Sequence, residues 1–128
     1  MTAEEVRELL GRSRTELDAA RSLAEHDFSA QAIAHAYYAA SFASEGALLS
    51  VGETRSKHSG VISAFGQLVV KGGGLDAAIG AALRKLFELR NDAVDNAVGV
   101  EKEMAVAAIA DAERFVAAVD DWLRRCAK

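Results

Sequence analysis

Apolar residues recur at three- and four-residue steps along most of the chain, and the places where that rhythm breaks divide it into five segments. Val6, Leu9, Leu10, Leu17, Ala20 and Ala24 mark one face of a first helix reaching about His26, with Thr2 and Glu5 at capping-box spacing. His26-Asp27-Phe28-Ser29 then reverses the chain, so that the next helix lies antiparallel. Ser29 is the expected N-cap and Phe28 the expected staple between the two helices. The second helix, from about Ala30 to Val51, has two apolar faces. One carries Ile33, Tyr37, Ala40, Ala47 and Val51, and the other Ala34, Tyr38, Phe42 and Leu49. Such a helix must be covered from more than one side, which places it at the centre of the fold or at a subunit seam.

Gly52 is the expected C′ residue of this helix. After it comes Glu53-Thr54-Arg55-Ser56-Lys57-His58-Ser59-Gly60, the one polar loop with concentrated basic and hydroxyl groups. It reads either as an anion-holding loop or as a solvated connector in which Ser56 or Ser59 caps the next helix. Val61, Ile62, Phe65, Leu68 and Val69 form a short third helix that stops at Lys71-Gly72-Gly73-Gly74. Those glycines are a turn and not a phosphate loop, because no strand precedes them and the Gly-x-x-x-x-Gly-Lys-Ser/Thr spacing is absent. A fourth helix starts near Leu75 or Asp76 and fades by Gly99. A fifth runs from about Glu101 to Cys126, with Met104, Ala108, Ala112, Phe115, Val119 and Trp122 on its core face.

The fourth helix breaks its own pattern. Leu83, Leu86, Arg90, Ala93, Val94 and Ala97 share one stripe, so an arginine stands where an apolar residue belongs. A buried unpaired charge costs several kcal/mol, roughly comparable to the stability of a whole domain, so Arg90 needs a partner or a ligand. Asn91, Asp92 and Asp95 are the nearby acceptors. At about 100° per residue Asp95 points some 140° away from Arg90, and cooperation between the two requires a distorted helix or a second chain.

Composition narrows the class. The 128 residues include no proline and suit a single domain, residues 1–128, of all-α class. A formal charge of −4 argues against non-specific coating of nucleic acid. One cysteine, Cys126, excludes an intrachain disulfide and a Cys-rich zinc site. His26, His35 and His58 lie in three different elements and form no His-x-x-x-His pair, so neither a metal nor a cofactor is expected. No run approaches the roughly 20 apolar residues that span a bilayer, and the acidic amphipathic N-terminus is unlike a signal sequence, which together lead us to expect a cytoplasmic protein without a membrane role.

Three segments resemble the HEPN family, small helical domains often encoded beside minimal nucleotidyltransferases. Ala34-His35-Ala36-Tyr37-Tyr38-Ala39-Ala40 is similar to the family's Ala-Tyr-Tyr-Ala segment. Ser56-Lys57-His58-Ser59-Gly60-Val61-Ile62, with Phe65 and Val70-Lys71, resembles its loop and third helix. Leu86-Phe87-Glu88-Leu89-Arg90-Asn91-Asp92-Ala93 is similar to its Leu-x-x-x-Arg-x-x-Ala. The likeness extends from about Thr15 to Val98. It implies an antiparallel up-and-down bundle of four to five helices and a two-fold homodimer in which arginines of both chains approach across a cleft.

Active HEPN ribonucleases carry Arg-x(4–6)-His, and here the sequence departs: Arg90 is followed at the matching positions by Asp95, Asn96 and Ala97, with no histidine. The branch with Asp-Tyr after the alanine is unmatched as well, since Val94 and Asp95 stand there. A carboxylate with a reference pKa near 4 is a base but a poor acid. The resemblance therefore implies first a dimeric component of a two-component, toxin–antitoxin-type system with a nucleotidyltransferase partner. Its cleft, with Tyr38, Lys57, His58, Arg90 and Asn91 as ligand-binding residues, would hold a nucleotide, an RNA or a segment of the partner, without DNA-specific recognition. The alternative is a metal-free ribonuclease toxin with Arg90 stabilising phosphate charge and Asp95 or His58 as base.

Overall fold

A computed structural model describes residues 3–95 and 99–126. Among them are five α-helices and no strand: α1 (Ala3–Glu25), α2 (Ser29–Ser50), α3 (His58–Phe65), α4 (Ala77–Asp95) and α5 (Lys102–Cys126), with α3 running directly into a π-helical segment, Gly66–Lys71. The all-α expectation holds. The third helical segment ends at Lys71 as expected, but its second half, from Gly66, is wound as a π-helix, with Val69 buried. Thr2 and residues 96–98, and with them the proposed capping box and the expectations for Asn96, Ala97 and Val98, lie outside the described residues. No described helix is long and apolar enough to cross a membrane.

α2 is the central element. It packs against α1, α3, α4, α5 and the π segment, and thirteen of its residues are buried, most of them alanine, serine or glycine. Small side chains let neighbouring backbones approach. A Cβ added at Gly46 would meet Leu10 Cδ2 at 2.7 Å. Ser13 on α1 is fully buried and donates its hydroxyl to the Ala39 carbonyl at 2.6 Å, so that a polar group joins α1 to α2 without being left unsatisfied. On α5, Ala108, Ala112, Phe115, Val119 and Trp122 are buried as expected, and Phe115 stacks tilted on Phe65 at 5.3 Å between centroids.

Several local expectations are corrected. Met104 and Val51 are exposed, because each stands within a turn of its helix end, beyond the reach of the covering elements. Ser29 is the first residue of α2, whose N-cap is Phe28, without a side-chain cap bond. The reversal is instead made by a C-cap on α1. Asp27 adopts φ 65°, Phe28 N–H donates to Leu23 O at 2.8 Å and Asp27 N–H to Ala24 O at 3.2 Å. This turns Phe28 outward into solvent, so it is no staple. Neither Ser56 nor Ser59 caps α3, whose N-cap is Lys57. Gly52, at φ 83°, ends α2 by the same pair of bonds, Glu53 N–H to Leu48 O and Gly52 N–H to Leu49 O, as its sequence position predicted.

Candidate functional site

Where α4 crosses α2 the apolar packing stops being purely apolar. Leu83, Leu86 and Ala93 of α4 are buried, while Val94, expected in the same stripe, is 58% exposed because the packed strip through those three residues is narrow and Val94 lies off its margin. Arg90 sits at that margin, half-buried. Its guanidinium carbon lies 6.0 Å from the centroid of Tyr37 and 5.7 Å from that of Tyr38. Cation–π attraction of this kind contributes roughly 0.5–1 kcal/mol per contact. NH1 donates to Asn91 Oδ1 at 2.8 Å. Nε is buried and has no acceptor among the described residues, and an unsatisfied buried donor costs about 1–3 kcal/mol. The ring contacts offset part of that cost and leave one donor unused.

Sequence adjacency on α2 supplies the ring pair. Tyr37 is fully buried, and Tyr38 is partly buried with its ring 6.0 Å from that of Tyr37. The buried Tyr37 hydroxyl requires a partner, and it has one in His58 Nδ1, at 2.8 Å across the α2–α3 junction. Phe87 of α4 completes the wall, 5.4 Å from Tyr37 and 5.9 Å from His58. On the far side of Tyr38, His35 meets the ring edge-on at 5.4 Å and is held by Glu16 through Nδ1 at 2.5 Å.

The electrostatics of this cluster favour neutral side chains around one cation. Burial, and then the charge of Arg90, push His58 below the ordinary histidine range. Burial raises the Tyr37 phenol, against the opposing effects of Ser41 and Arg90. His58 is consequently a neutral imidazole near pH 7 with Nδ1 engaged. Its Nε2 stays free for other chemistry, as an N–H donor when Nδ1 accepts from the phenol and as a lone-pair acceptor when Nδ1 donates to it.

Of the residues singled out from the sequence, Tyr38, His58, Arg90 and Asn91 come together here. Lys57 is exposed at the start of α3, next to His58, and Asp95 is exposed at the end of α4. Arg90 takes Asn91 rather than Asp92 or Asp95 as its acceptor. Sequence reasoning placed Tyr37 in the core and passed over Phe87 as a site residue. The requirement of a buried phenol for a partner was the available signal for Tyr37, and Phe87, three residues before Arg90, lies on the same side of α4. Among the described residues no three His, Cys, Asp or Glu side chains converge as a metal-ligand set.

The model of the HEPN domain matches residues 6–122. The chain is 33% identical over 113 residues to a protein of Methanocaldococcus jannaschii named "Putative toxin MJ0605", covering 88% of this chain and 84% of that one. It is also 33% identical over 110 residues to a Thermotoga maritima protein named "UPF0332 protein", covering 85% and 83%.

Proposed function

The chain belongs to the HEPN domain family, and from that premise we propose that it is a toxin-type subunit whose Arg90 site holds the phosphate of a nucleotide or RNA. The observation that carries this reading is the half-buried Arg90 guanidinium, set against the Tyr37 and Tyr38 rings and bonded to the neutral Asn91 amide rather than to an acid. A guanidinium held against two tyrosine rings with no carboxylate partner among the described residues is preorganised for an anion, and the fork of an arginine matches phosphate oxygens. The free Nε2 of His58 offers a second contact to the same ligand, and Tyr38 a face on which a base can stack. The toxin name of the Methanocaldococcus jannaschii relative agrees with a toxin-type role. The working unit is a cytoplasmic homodimer that operates with a minimal nucleotidyltransferase partner, as the family pattern implies.

A second reading, metal-free RNA cleavage, is favoured by one specific contact, the Tyr37–His58 hydrogen bond beside Arg90. It puts a neutral histidine next to the phosphate-binding cation although no histidine follows Arg90 at the family spacing, and it makes His58 rather than Asp95 the base. Calorimetric titration with uridine monophosphate and short oligouridylate tests the first reading: Arg90→Met should abolish binding with the fold intact, and unchanged affinity sinks the site. Incubation with labelled RNA in the presence of chelator tests the second. Product that disappears in His58→Ala and persists in Asp95→Asn supports it, and no product from the wild-type dimer rejects it.

A further inference from the structure

A concavity lies between α4 and the α3–π segment, with a volume of about 530 Å³. Its polar lining is mainly basic: Lys71, Arg84 and Lys85 against the single acid Glu88, with Ser63 and Gln67 as further hydrogen-bonding groups. Lys85 reaches Asp111 at 3.8 Å, whereas Lys71 and Arg84 form no ion pair among the described residues. In a chain of net charge −4, Lys71 and Arg84 against the one acid Glu88 leave the slot net positive, a local reversal of the overall charge. The slot also exists for a backbone reason. Gly80 lets Val70 come within 2.8 Å of where a Cβ would stand, which draws the π segment onto α4 at one end, while a Cβ at Gly66 would meet open space.

The slot and the Arg90 site share helix α4. Arg84, Glu88 and Asn91 follow one another at four- and three-residue steps along α4, so they share one face, and Asn91 accepts the Arg90 bond. Arg84 and Arg90 stand six positions apart in sequence, about 9 Å along the helix axis and about 120° around it. A single strand that wraps this part of the α4 surface spans both with phosphates a few nucleotides apart.

We propose that the slot lined by Lys71, Arg84, Ser63 and Gln67 is a second phosphate subsite, which takes a further phosphodiester of a single-stranded oligonucleotide whose first phosphate is held at Arg90. The inference rests on the Arg90 reading and deepens it, because it makes the ligand a strand rather than a mononucleotide. A slot of this volume accommodates a nucleotide unit and not a duplex.

The test is calorimetric titration of the full chain with uridine monophosphate and with a short oligouridylate across a series of salt concentrations. Arg84→Gln and Lys71→Gln should each weaken the oligonucleotide roughly threefold to tenfold and flatten the salt dependence by about 0.7 in slope per cation removed. The mononucleotide should bind them as it binds wild type. Gly66→Leu, which fills the slot without changing charge, should produce the same loss of strand affinity. Oligonucleotide affinity unchanged in both Arg84→Gln and Gly66→Leu, with Arg90→Met still abolishing binding, overturns the subsite alone. Equal losses for monomer and strand in Arg84→Gln also overturn it as a separate subsite. Wild-type affinity for both ligands in Arg90→Met overturns the Arg90 reading, and the subsite with it.

Discussion

One helix, α2, serves two regions built on opposite principles. Toward α1 and α5 its alanines, serines and Gly46 pack against neighbours in close contact, and polar groups are satisfied there. Ser13 gives its hydroxyl to Ala39 O, Ser44 to Ala40 O, and nearby Trp122 gives its indole N–H to Gly73 O at 2.8 Å. Toward α4 the same helix presents Tyr37 and Tyr38 to an arginine whose Nε has no acceptor among the described residues. The first region devotes its contacts to stability, while the second holds a desolvated cation and an idle donor that lower stability and favour a ligand. Substitutions that look alike in size should therefore act with different signs in the two regions.

The largest effect is expected in the packed region. Phe115→Ala empties a fully buried site against Phe65 and should destabilise by about 3–5 kcal/mol, read from urea unfolding. Gly46→Leu overpacks the α1–α2 contact, where even a Cβ would stand 2.7 Å from Leu10, and should cost about 1–3 kcal/mol. Ser13→Ala removes one buried hydrogen bond, for roughly 1 kcal/mol. At the other region Arg90→Met should change stability by less than about 1 kcal/mol, toward greater stability, while ligand binding is lost. A destabilisation as large as that of Phe115→Ala would erase the contrast and make Arg90 a packing residue.

The smallest effect concerns pH and sharpens the same contrast. The pKa of His58 is depressed by burial and by Arg90. The folded state thus favours the neutral ring, and this contribution is complete above the unfolded histidine pKa, about 6.5, and is lost as pH falls below that value through the folded one. An NMR titration should place the His58 midpoint below about 6.5. Arg90→Met should move it part of the way back, since burial remains; no movement would separate the histidine from the arginine.

Much of the fold was legible because helical packing is written in local periodicity. The centrality of α2 follows from its two apolar faces, and the end of α2 from Gly52, which alone tolerates the left-handed turn without a steric cost. The chain reversal at Asp27 was placed correctly and explained wrongly. Its geometry is a left-handed aspartate closing α1, a conformation that a non-glycine residue seldom adopts and that no pattern of apolar positions encodes. Met104 and Val51 were misread for a related reason, because periodicity describes a face without saying how far along the helix the covering partner extends.

The same division holds for the site. An arginine at three- and four-residue steps from Leu83, Leu86 and Ala93 announced that α4 carries a cation toward the core, since helical spacing depends only on residues near in sequence. Whether that cation would meet acid, amide or aromatic ring depended on residues about fifty positions away. The tertiary structure decided for the faces of Tyr37 and Tyr38, with Asn91 as acceptor and Asp95 left in solvent. It likewise brought His58 from a loop that read as anion-holding or merely connecting to the phenol of Tyr37. Contacts across helices are set by how whole elements dock, and that docking is a balance of burial summed over the molecule. Periodicity in a single segment therefore determined what each helix would turn inward, and only the assembled bundle determined what it would find there.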